Sequence, residues 1–499
     1  MTSDSSNNAS KAEEAHGTHA HVQEFGHGKN LSAAHSKFLM ERYGTVDLEP
    51  LPDPTLADPL NWPQSKKLIN LALVSFHTGI CSFTASSVIP AFGDIATRLG
   101  VTIQAASYMT SLQIVIFGGA PFLWNPLARR YGRLPIFVLS LFGSVACNIG
   151  CARSRTYGEL AACRALGAFF ISPAAALGSG TVQEMFFAGE RARYMGIWTL
   201  MFTFGVPFAP FLFGFAVERA GYEWIFWTLA ITNVVQFVGY MALGSETIYI
   251  RGNGDAATPV PRRLALRRID PAPFSALEFV YPFVYAARWR VAIPAIAYAM
   301  VFLLCNVVTS VEIPQLFAEN FHFGAQALGL QFLALIVGSL AGEGLASVAS
   351  SWWMAPRGPD NERPPPERRL WLSHVGYSWC LAGIVVFLVL SAQLSVYNVS
   401  PVIGAGIAAA GNQVVTTVMV NYAVDCYPED AASVGVFVAF VRQTLGFIGP
   451  FWFPQLFAAT GAVSAAVAVG LLIAVSIVPT IVLQVASRKY SLKPREDGS

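Results

Sequence analysis

The sequence contains little charge. Only 12% of its 499 residues are Asp, Glu, Lys or Arg, against about 25% in an ordinary soluble domain. Hydrophobic residues make up 54% of the chain. This composition excludes an ordinary soluble protein and indicates a membrane protein. The net charge of +2 is small, so the chain has no charge excess that would attract nucleic acid, and no such partner is expected.

The motifs of several function classes are also missing. The seven cysteines fall in or beside apolar runs, without a C-x-x-C pair or zinc spacing, which indicates buried thiols and no metal site. Because no G-x-x-x-x-G-K-[ST] loop is present, ATP is not expected as the energy source. No nucleophile with a paired base is visible, so we expect neither an enzyme nor a cofactor.

The N-terminal segment lacks an apolar run. The first such run starts near Leu68, so no secretory signal peptide is expected, and residues 1–66 are predicted to form a disordered cytosolic tail. Most of the histidines lie in this segment, and their irregular spacing without cysteines favours a polar tail over a metal site. They are His16, His19, His21, His27 and His35.

Long apolar runs are abundant. A helix needs about 20 apolar residues to cross the roughly 30 Å hydrocarbon core, and twelve runs are long enough. Their limits are residues 68–90, 103–126, 134–152, 160–185, 194–217, 223–244, 291–314, 327–349, 371–392, 399–423, 433–457 and 463–486. A polar segment with Gly and Pro separates the sixth from the seventh and is typical of a linker.

The predicted fold is therefore an all-α membrane protein of twelve transmembrane helices in two six-helix bundles. The bundles comprise residues 67–246 and 291–487, a cytosolic linker at 247–290 joins them, and residues 488–499 form a cytosolic tail. If the N-terminus is cytosolic, 26 of the 32 Lys and Arg residues lie in cytosolic segments and only four lie in outer loops. This excess predicts that both termini are cytosolic.

Several motifs occur in an order that is familiar from one family. They are DPLNWP (58–63), LARRYGRLP (127–135), RALGAFFISPAAALG (164–178), ERARYMG (190–196), GVPFAPFLFG (205–214), GSET (244–247) and NYAVDCYPED (421–430). Together they resemble the major facilitator superfamily, specifically its fungal drug:proton antiporter group with twelve spans. The resemblance covers about residues 58–490. It implies a secondary transporter, with the plasma membrane as the expected location.

The two halves carry an internal repeat. Two acids, a glycine and a proline run from the end of span 4 into span 5, and the same series runs from span 10 into span 11, over 26 and 25 residues. The members are Glu184, Glu190, Gly196 and Pro210 in the first half and Asp425, Glu429, Gly435 and Pro450 in the second. Such a duplication is typical of this superfamily. We expect spans 1, 4, 7 and 10 to line the cavity and spans 2, 5, 8 and 11 to pack the halves together.

The loop between spans 2 and 3 departs from the family pattern. It carries Arg129, Arg130 and Arg133, and Arg129 stands where the family has an acid that is thought to face the positive end of span 11. This chain places Glu429 and Asp430 just before span 11. We hypothesise that Arg129 pairs with one of these acids and closes the cytosolic side. An exposed charge that contributes almost nothing is the alternative.

Further gating residues are expected at helix ends and in span 5. Glu184, Glu190 and Asp425 mark the cytosolic helix ends. Gly205 and Pro210 allow span 5 to approach a neighbour and to bend. Span 5 also departs from the family, because Ala209 and Phe213 replace glycines of the signature.

Ionisable groups inside spans are candidate functional residues, because each costs several kcal/mol unless it is paired or hydrated. His77 and Glu343 are alternative proton carriers. Arg164 is a third proton-coupling candidate, although its recurring motif favours a structural role. Arg442 either neutralises an internal acid or receives an anionic group of the substrate. The candidate substrate contacts are His77, Gln113, Asn306, Asn412, Gln413 and Arg442.

An aromatic cavity with few charges suits an amphipathic solute better than a sugar. The sequence therefore predicts a monomeric, proton-coupled secondary transporter that exports a small amphipathic metabolite or drug by alternating access. Its expected partners are the solute, protons and the lipid bilayer. The alternatives are uptake or exchange of a charged nutrient, such as an organic acid or a polyamine, and a non-transporting sensor or a channel on the same fold.

Overall fold

The computed structural model describes residues 32–249, 268–269, 275–355, 364–427 and 430–491. The chain divides after Pro54 into two compact units. In the first unit, the Ser32 side chain caps an α-helix over Ala33–Tyr43, and Gly44 ends the helix in the left-handed conformation. This helix lies within the segment that was predicted to be a disordered tail. His16, His19, His21 and His27 lie outside the described residues.

The second unit contains twelve helical segments that are long and apolar enough to cross a membrane. In chain order, spans 1 to 12 are Gln64–Leu99, Ile103–Tyr131, Arg133–Arg153, Tyr157–Met185, Arg193–Ala220, Glu223–Leu243, Trp289–Phe321, Ala325–Trp353, Pro366–Gln393, Ser400–Cys426, Ala431–Phe457 and Val463–Val485. The described residues form no strand. The predicted all-α fold with twelve spans is therefore confirmed.

Four spans are interrupted helices. Span 1 joins Gln64–Ser86 to Phe92–Leu99 through a 3-10 turn at Ile89–Ala91, and span 4 joins Tyr157–Ile171 to Pro173–Met185. Span 7 contains Trp289–Val301, a π-helical turn at Phe302–Val307 and Val308–Phe321. Span 9 begins with a 3-10 turn at Pro366–Arg369 before Leu370–Gln393. Proline lacks the backbone N–H that an α-helix needs in its interior, so Pro173 begins the second helix of span 4.

The remaining spans are single α-helices. They are Ile103–Tyr131, Arg133–Arg153, Ala188–Ala220, Glu223–Leu243, Ala325–Trp353, Ser400–Cys426, Ala431–Thr460 and Ala462–Ser491. Outside the spans, Pro59–Asn61 forms a 3-10 turn. The linker between the halves ends in Ala276–Val280 and the 3-10 turn Tyr281–Ala287, and we call the segment Leu277–Ala287 the linker helix. The membrane side on which it lies is called the linker side.

The halves meet along two pairs of spans. Span 5 packs against span 8, and span 2 packs against span 11. These are the four spans that are expected from the sequence to pack the halves together. Glycines allow the closest approach of spans 5 and 8. A Cβ added at Gly214 would lie 2.7 Å from the Ala325 carbonyl oxygen, and one at Gly329 would lie 2.7 Å from the Pro210 carbonyl oxygen. We call the membrane side opposite the linker side the far side. The far-side ends of spans 5 and 8 are therefore packed backbone against backbone.

Within the first half, span 5 also lies close to span 1. A Cβ at Gly205 would lie 2.5 Å from the Gly79 carbonyl oxygen. Ala209 and Phe213, which replace glycines of the family signature, are fully buried. The Phe213 ring packs 5.1 Å from the Phe83 ring, so these larger residues fill the core of the first half.

Candidate functional site

Polar and aromatic residues of spans 5, 7, 8, 10 and 11 meet between the two halves. At 1.5 Å per residue, Glu343, Gln413 and Arg442 lie roughly 15–20 Å from the linker-side ends of their helices. This depth is near the middle of the roughly 30 Å hydrocarbon core. The cluster therefore lies where transporters with duplicated halves bind their substrates.

The acid of this cluster is Glu343 in span 8. Its Oε2 atom accepts hydrogen bonds from Thr417 Oγ1 at 2.9 Å and from Gln413 Nε2 at 3.4 Å. Gln413 Nε2 also lies 3.4 Å from Thr203 Oγ1 in span 5. The half-buried carboxyl of the second half is thus linked to the first half through one amide.

The base of the cluster is Arg442 in span 11. Its Nη1 atom donates a hydrogen bond of 2.8 Å to Tyr298 Oη. The guanidinium carbon lies 4.9 Å from the ring centroid of Phe302 and 5.9 Å from that of Phe202. The Nε atom is buried and has no hydrogen-bond partner among the described residues. Rings from both halves therefore surround this cation, because Phe202 belongs to span 5.

Local structure makes room for this arrangement. Phe302 opens the π-helical turn of span 7, and such turns are frequent at functional sites. A Cβ added at Gly446, one turn beyond Arg442, would lie 2.7 Å from the Phe302 ring. At the same level, a Cβ at Gly118 of span 2 would lie 2.8 Å from Gln443 Cβ. Gly446 thus lets the Phe302 ring lie against span 11, and Gly118 lets span 2 approach span 11.

Glu343 and Arg442 are linked to two adjacent residues of span 5. Gln413, the partner of Glu343, contacts Thr203, while the Arg442 guanidinium faces the adjacent Phe202. Within the described part of the chain, Glu343 and Arg442 form no ion pair with each other or with any other residue. The site therefore holds an unneutralised acid and an unneutralised base at one depth.

The structure places His77 elsewhere. This side chain is fully buried, and its Nε2 atom lies 3.4 Å from Ser140 Oγ in span 3. Its ring packs edge-to-face against Phe137 and Tyr240 at 5.6 and 5.7 Å. All of these partners belong to the first bundle, so His77 is not brought to the midplane cluster.

Arg164 and Gln113 are also separate from the cluster. Arg164 Nη2 donates to Gln113 Oε1 at 2.8 Å and to the carbonyl oxygens of Thr84 and Ala85 at 3.3 and 3.4 Å. The Arg164 guanidinium carbon also lies 5.8 Å from the Phe226 ring centroid. These contacts tie spans 1, 2, 4 and 6 together, which supports a structural role.

Asn306 and Asn412 are predicted substrate contacts whose side chains form no hydrogen bond with the cluster among the described residues. Asn306 is half-buried within the π-helical turn of span 7. Asn412 precedes Gln413 in span 10, and its buried Oδ1 atom has no hydrogen-bond partner among the described residues.

Glu312 in span 7 is a buried acid that the sequence analysis missed. Its side chain is 2% exposed, and its Oε1 atom has no hydrogen-bond partner within the described part of the chain. The signal was available, because Glu312 lies inside the predicted span 291–314. It lies nearer the far side than Glu343 does, about 13 Å from the end of its helix at Phe321.

On the linker side, an arginine–acid pair of the first half has a counterpart at the corresponding position of the second half. Arg133 begins span 3 and forms two hydrogen bonds of 2.8 Å with Glu184 at the end of span 4. Arg369 lies at the start of span 9, 3.0 Å from Asp425 near the end of span 10. The internal repeat of acids thus corresponds to a repeated ion pair, which sequence spacing alone did not reveal.

Glu246, within the GSET motif, stabilises the start of span 3. Its carboxylate accepts hydrogen bonds of 2.9–3.0 Å from the backbone N–H groups of Arg133, Leu134, Thr247 and Ile248. Span 3 follows span 2 after the single residue Gly132, whose φ of 95° is difficult for other residues. An acid near a helix N-terminus is favourable, so this motif anchors the tight turn.

The linker helix contacts both halves. Glu278 forms an ion pair with Arg130 of the first half, whose side chain is 5% exposed. Phe283 stacks on Phe122 of span 2 with centroids 4.7 Å apart and packs edge-to-face against Phe440 of span 11 at 5.1 Å.

Two tyrosines of the linker helix continue this contact with the second half. Tyr285 Oη donates a hydrogen bond of 2.7 Å to Asp430 Oδ2 at the start of span 11, and Tyr281 Oη donates to the same oxygen at 3.1 Å. Burial raises the pKa of the Tyr285 hydroxyl well above its ordinary value, and the hydrogen bond to Asp430 adds to the rise.

The predicted pairing of Arg129 with an acid before span 11 is not seen for Asp430. Arg129 is exposed, and Asp430 accepts its described hydrogen bonds from Tyr281 and Tyr285. Glu429 lies outside the described residues. Glu190 is exposed in the first turn of the helix that contains span 5. The described contact between the halves on this side instead involves Arg130 and the linker helix.

Two six-span halves around a polar site at mid-membrane depth define a secondary transporter. Residues 74–450 match the model of the Major Facilitator Superfamily, and the chain therefore belongs to this superfamily and is a transporter rather than an enzyme. It is 25% identical over 450 residues to the uncharacterised transporter mfc1 of Schizosaccharomyces pombe, covering 81% of this chain and 86% of that protein.

Two further similarities agree with this placement. The chain is 26% identical over 416 residues to the efflux pump vrtL of Penicillium aethiopicum, covering 81% of this chain and 82% of that protein. A crystal structure of a peptide transporter POT variant bound to alafosfalin has the same fold, with a TM-score of 0.61 and 15% identity, covering 86% of this chain and 98% of that one.

Proposed function

We propose that this protein is a proton-coupled exporter of a small amphipathic metabolite or drug that works by alternating access. The observation that carries the proposal is that Glu343 and Arg442 form no ion pair with each other within the described residues. An acid and a base lie at one depth between the halves, each linked to span 5 and neither neutralised by an ion pair within the described residues. Such groups are costly inside a membrane, so their presence there indicates a function.

Glu343 is the proposed proton carrier. When it is ionised, it accepts hydrogen bonds from Thr417 and Gln413, and Gln413 links it to Thr203 of the first half. Ser347 is a further hydrogen-bond partner, and no charged side chain faces Glu343 among the described residues. Protonation converts one acceptor oxygen into a donor, which weakens the link to the first half. Proton uptake and movement of the halves are coupled in this way.

The surroundings of Arg442 suit an amphipathic cargo. Phe202, Tyr298 and Phe302 offer ring faces on which an apolar body can pack, and Tyr298 and Arg442 supply polar contacts. Export is proposed because the chain is similar to a protein named as an efflux pump. Protons moving inward through Glu343 would drive cargo outward.

Two sets of contacts are the proposed gates. The linker helix joins spans 2 and 11 on the linker side, and Gly214 and Gly329 join spans 5 and 8 on the far side. From the excess of basic residues we assign the linker side, with both termini, to the cytosol. The plasma membrane is proposed from the sequence resemblance alone. Epitope tags at both termini should be accessible only after the cells are permeabilised. A tag that is accessible on intact cells overturns this orientation.

The function is tested by comparing the small molecules retained by cells with and without this protein, before and after a protonophore is added. We expect at least one compound to be depleted in the expressing cells and to be retained again when the proton gradient collapses. Glu343→Gln should abolish the depletion. The matched control is Glu312→Gln, which removes the other buried acid of the second half and should preserve the depletion.

Three results contradict this proposal. If no compound differs between the cells, the sensor alternative is favoured over transport. If depletion survives the protonophore, export is not driven by protons. If Glu312→Gln abolishes the depletion and Glu343→Gln does not, the proton carrier is Glu312.

A further inference from the structure

We infer that the cargo is an organic anion with an apolar body, and that Arg442 binds its carboxylate or equivalent acidic group. This inference rests on the proposed transport function and specifies the class of cargo. It follows from the contacts of Arg442, from the rings around it and from a comparison with Arg164, which also lies well away from the ends of its span.

Arg442 has more donors than the protein satisfies. A guanidinium carries five N–H donors, and the one described hydrogen bond from this group goes to Tyr298. The buried Nε atom has no partner in the described part of the chain. A cation at mid-membrane depth is costly without a partner, and cation–π contacts with Phe202 and Phe302 offset only part of that cost. The remaining Nη donors are available to a planar acidic group, which arginine binds in a bidentate manner.

Arg164 shows what a structural arginine looks like in the same protein. It is 2% exposed, and its Nη2 atom donates to a side-chain amide oxygen and two backbone carbonyl oxygens within the first bundle. Arg442 is only half-buried and lies between the halves, where cargo must pass. The Nε atoms of both arginines lack a hydrogen-bond partner among the described residues, so what distinguishes Arg442 is its greater exposure and its position between the halves.

The rings define the rest of the cargo. Phe302 and Tyr298 belong to the second half, and Phe202 belongs to the first half. An aromatic or other flat apolar group bound beside the guanidinium would contact both halves at once. The acidic group then supplies specificity, and the apolar body supplies most of the buried area.

The inference is tested on the purified full chain in lipid nanodiscs. The probes are three matched pairs, each an aromatic acid and its primary amide: naphthoate and naphthamide, cinnamate and cinnamamide, and indoleacetate and indoleacetamide. Binding is measured by isothermal titration calorimetry at neutral pH. We expect at least one acid to bind with a Kd about tenfold or more below that of its amide, which corresponds to about 1.4 kcal/mol.

Variants assign the preference to Arg442. Arg442→Gln should bring the Kd values of acid and amide within about twofold of each other, chiefly by weakening acid binding. Arg442→Lys should retain part of the preference, because it keeps the charge but loses the bidentate geometry. Tyr298→Phe removes the described acceptor of Arg442 and a polar contact proposed for the cargo, so it should raise the Kd values of acid and amide alike and leave the ratio between them in place. Thermal unfolding of each variant identifies any that does not fold.

The inference is overturned if every amide binds as tightly as its acid, or if no acid binds the folded wild-type protein. It is also overturned if folded Arg442→Gln keeps the preference for acids. If Arg442→Gln does not fold, the wild-type comparison and Arg442→Lys decide the outcome. Failure of the proposed proton coupling gives a different result. Depletion in cells would then survive the protonophore, while the purified protein would still bind acids more tightly than amides.

Discussion

The linker helix provides the most direct test of how this protein closes on the linker side. We predict that the double substitution Phe283→Ala with Tyr285→Phe separates the linker-side ends of spans 2 and 11. The first change removes the ring that stacks on Phe122 and contacts Phe440. The second removes the hydroxyl that donates to Asp430, while the Tyr285 ring stays in place.

The expected magnitude follows from these contacts. Each of the two aromatic pairs of Phe283 is worth about 0.5–1.5 kcal/mol beyond burial. The hydrogen bond from Tyr285 to a carboxylate is worth about 1.5–3 kcal/mol. Because Phe283 is partly exposed and Tyr281 still donates to Asp430, the low ends apply, and they sum to about 2.5 kcal/mol. This energy changes the open-to-closed ratio about sixtyfold, so a form populated at about 95% would fall to roughly a quarter.

Distances between spin labels measure this change. All seven cysteines are free, so a background without them loses no disulfide. Cysteines are then placed at Arg129 and Ala432, which are exposed at the linker-side ends of spans 2 and 11. Double electron–electron resonance should show a longer distance population in the double variant than in the labelled parent.

Leu277→Ala is the matched control on the same helix. Leu277 is 60% exposed, and its substitution should leave the distance distribution unchanged. The reasoning is refuted if the double variant has the same distribution as the parent, or if Leu277→Ala lengthens the distance as much.

The distance between the labels should be independent of pH over a defined range. Burial, together with the bond to Asp430, raises the pKa of Tyr285 above the ordinary value of 10.0. A raised folded-state pKa means that the hydrogen bond contributes fully below the ordinary value and is lost only as the pH rises through the higher one. With Glu343→Gln in the background, so that proton uptake at the proposed carrier does not move the halves, the labelled protein should keep one distance distribution between about pH 6 and pH 9. Separation of the labels as the pH rises within this window would contradict the role of the tyrosine hydroxyl.

Three further predictions concern packing and stability, and each is measured as thermal unfolding in detergent. Gly214→Val should destabilise the protein by about 1–3 kcal/mol, because its side chain meets backbone atoms of span 8, whereas the side chain of Gly344→Ala meets nothing within 4 Å and should not lower the unfolding temperature, since alanine is the better helix former. Arg369→Asp and Asp425→Arg should each lower the unfolding temperature, and the double swap should recover a coupling of about 1 kcal/mol; full additivity would exclude the pair. Glu246→Ala should cost about 2 kcal/mol by removing the acceptor of four backbone N–H groups, and an unchanged unfolding temperature would exclude this anchor.

The spans were predictable from the sequence because crossing a membrane requires a long apolar run, which is a local property. The direction in which a side chain faces was not predictable. His77 is inside span 1 as expected, but it faces spans 3 and 6. Arg129 and Arg130 are neighbours, yet residues one apart point about 100° apart around a helix. Arg130 is therefore buried and paired while Arg129 is exposed.

Contacts between segments that are far apart in the sequence were also not predictable. The spacing of acids revealed a duplication, but not that Glu184 and Asp425 each bind an arginine at the start of another span. The polar segment with Gly and Pro predicts a linker, but it does not indicate that the last part of this linker forms the linker helix. The midplane cluster was partly foreseen, since Glu343, Gln413 and Arg442 were candidates, but the contribution of span 5 was not.

That contribution has a mechanical consequence. Phe202 and Thr203 are consecutive, and one touches the surroundings of the guanidinium while the other touches the amide that binds the carboxyl. A rigid helix cannot shift one of these residues without shifting the other. Any tilt or slide of span 5 therefore disturbs the contacts of Glu343 and Arg442 together, and this shared helix would couple the proposed proton carrier to the proposed cargo site.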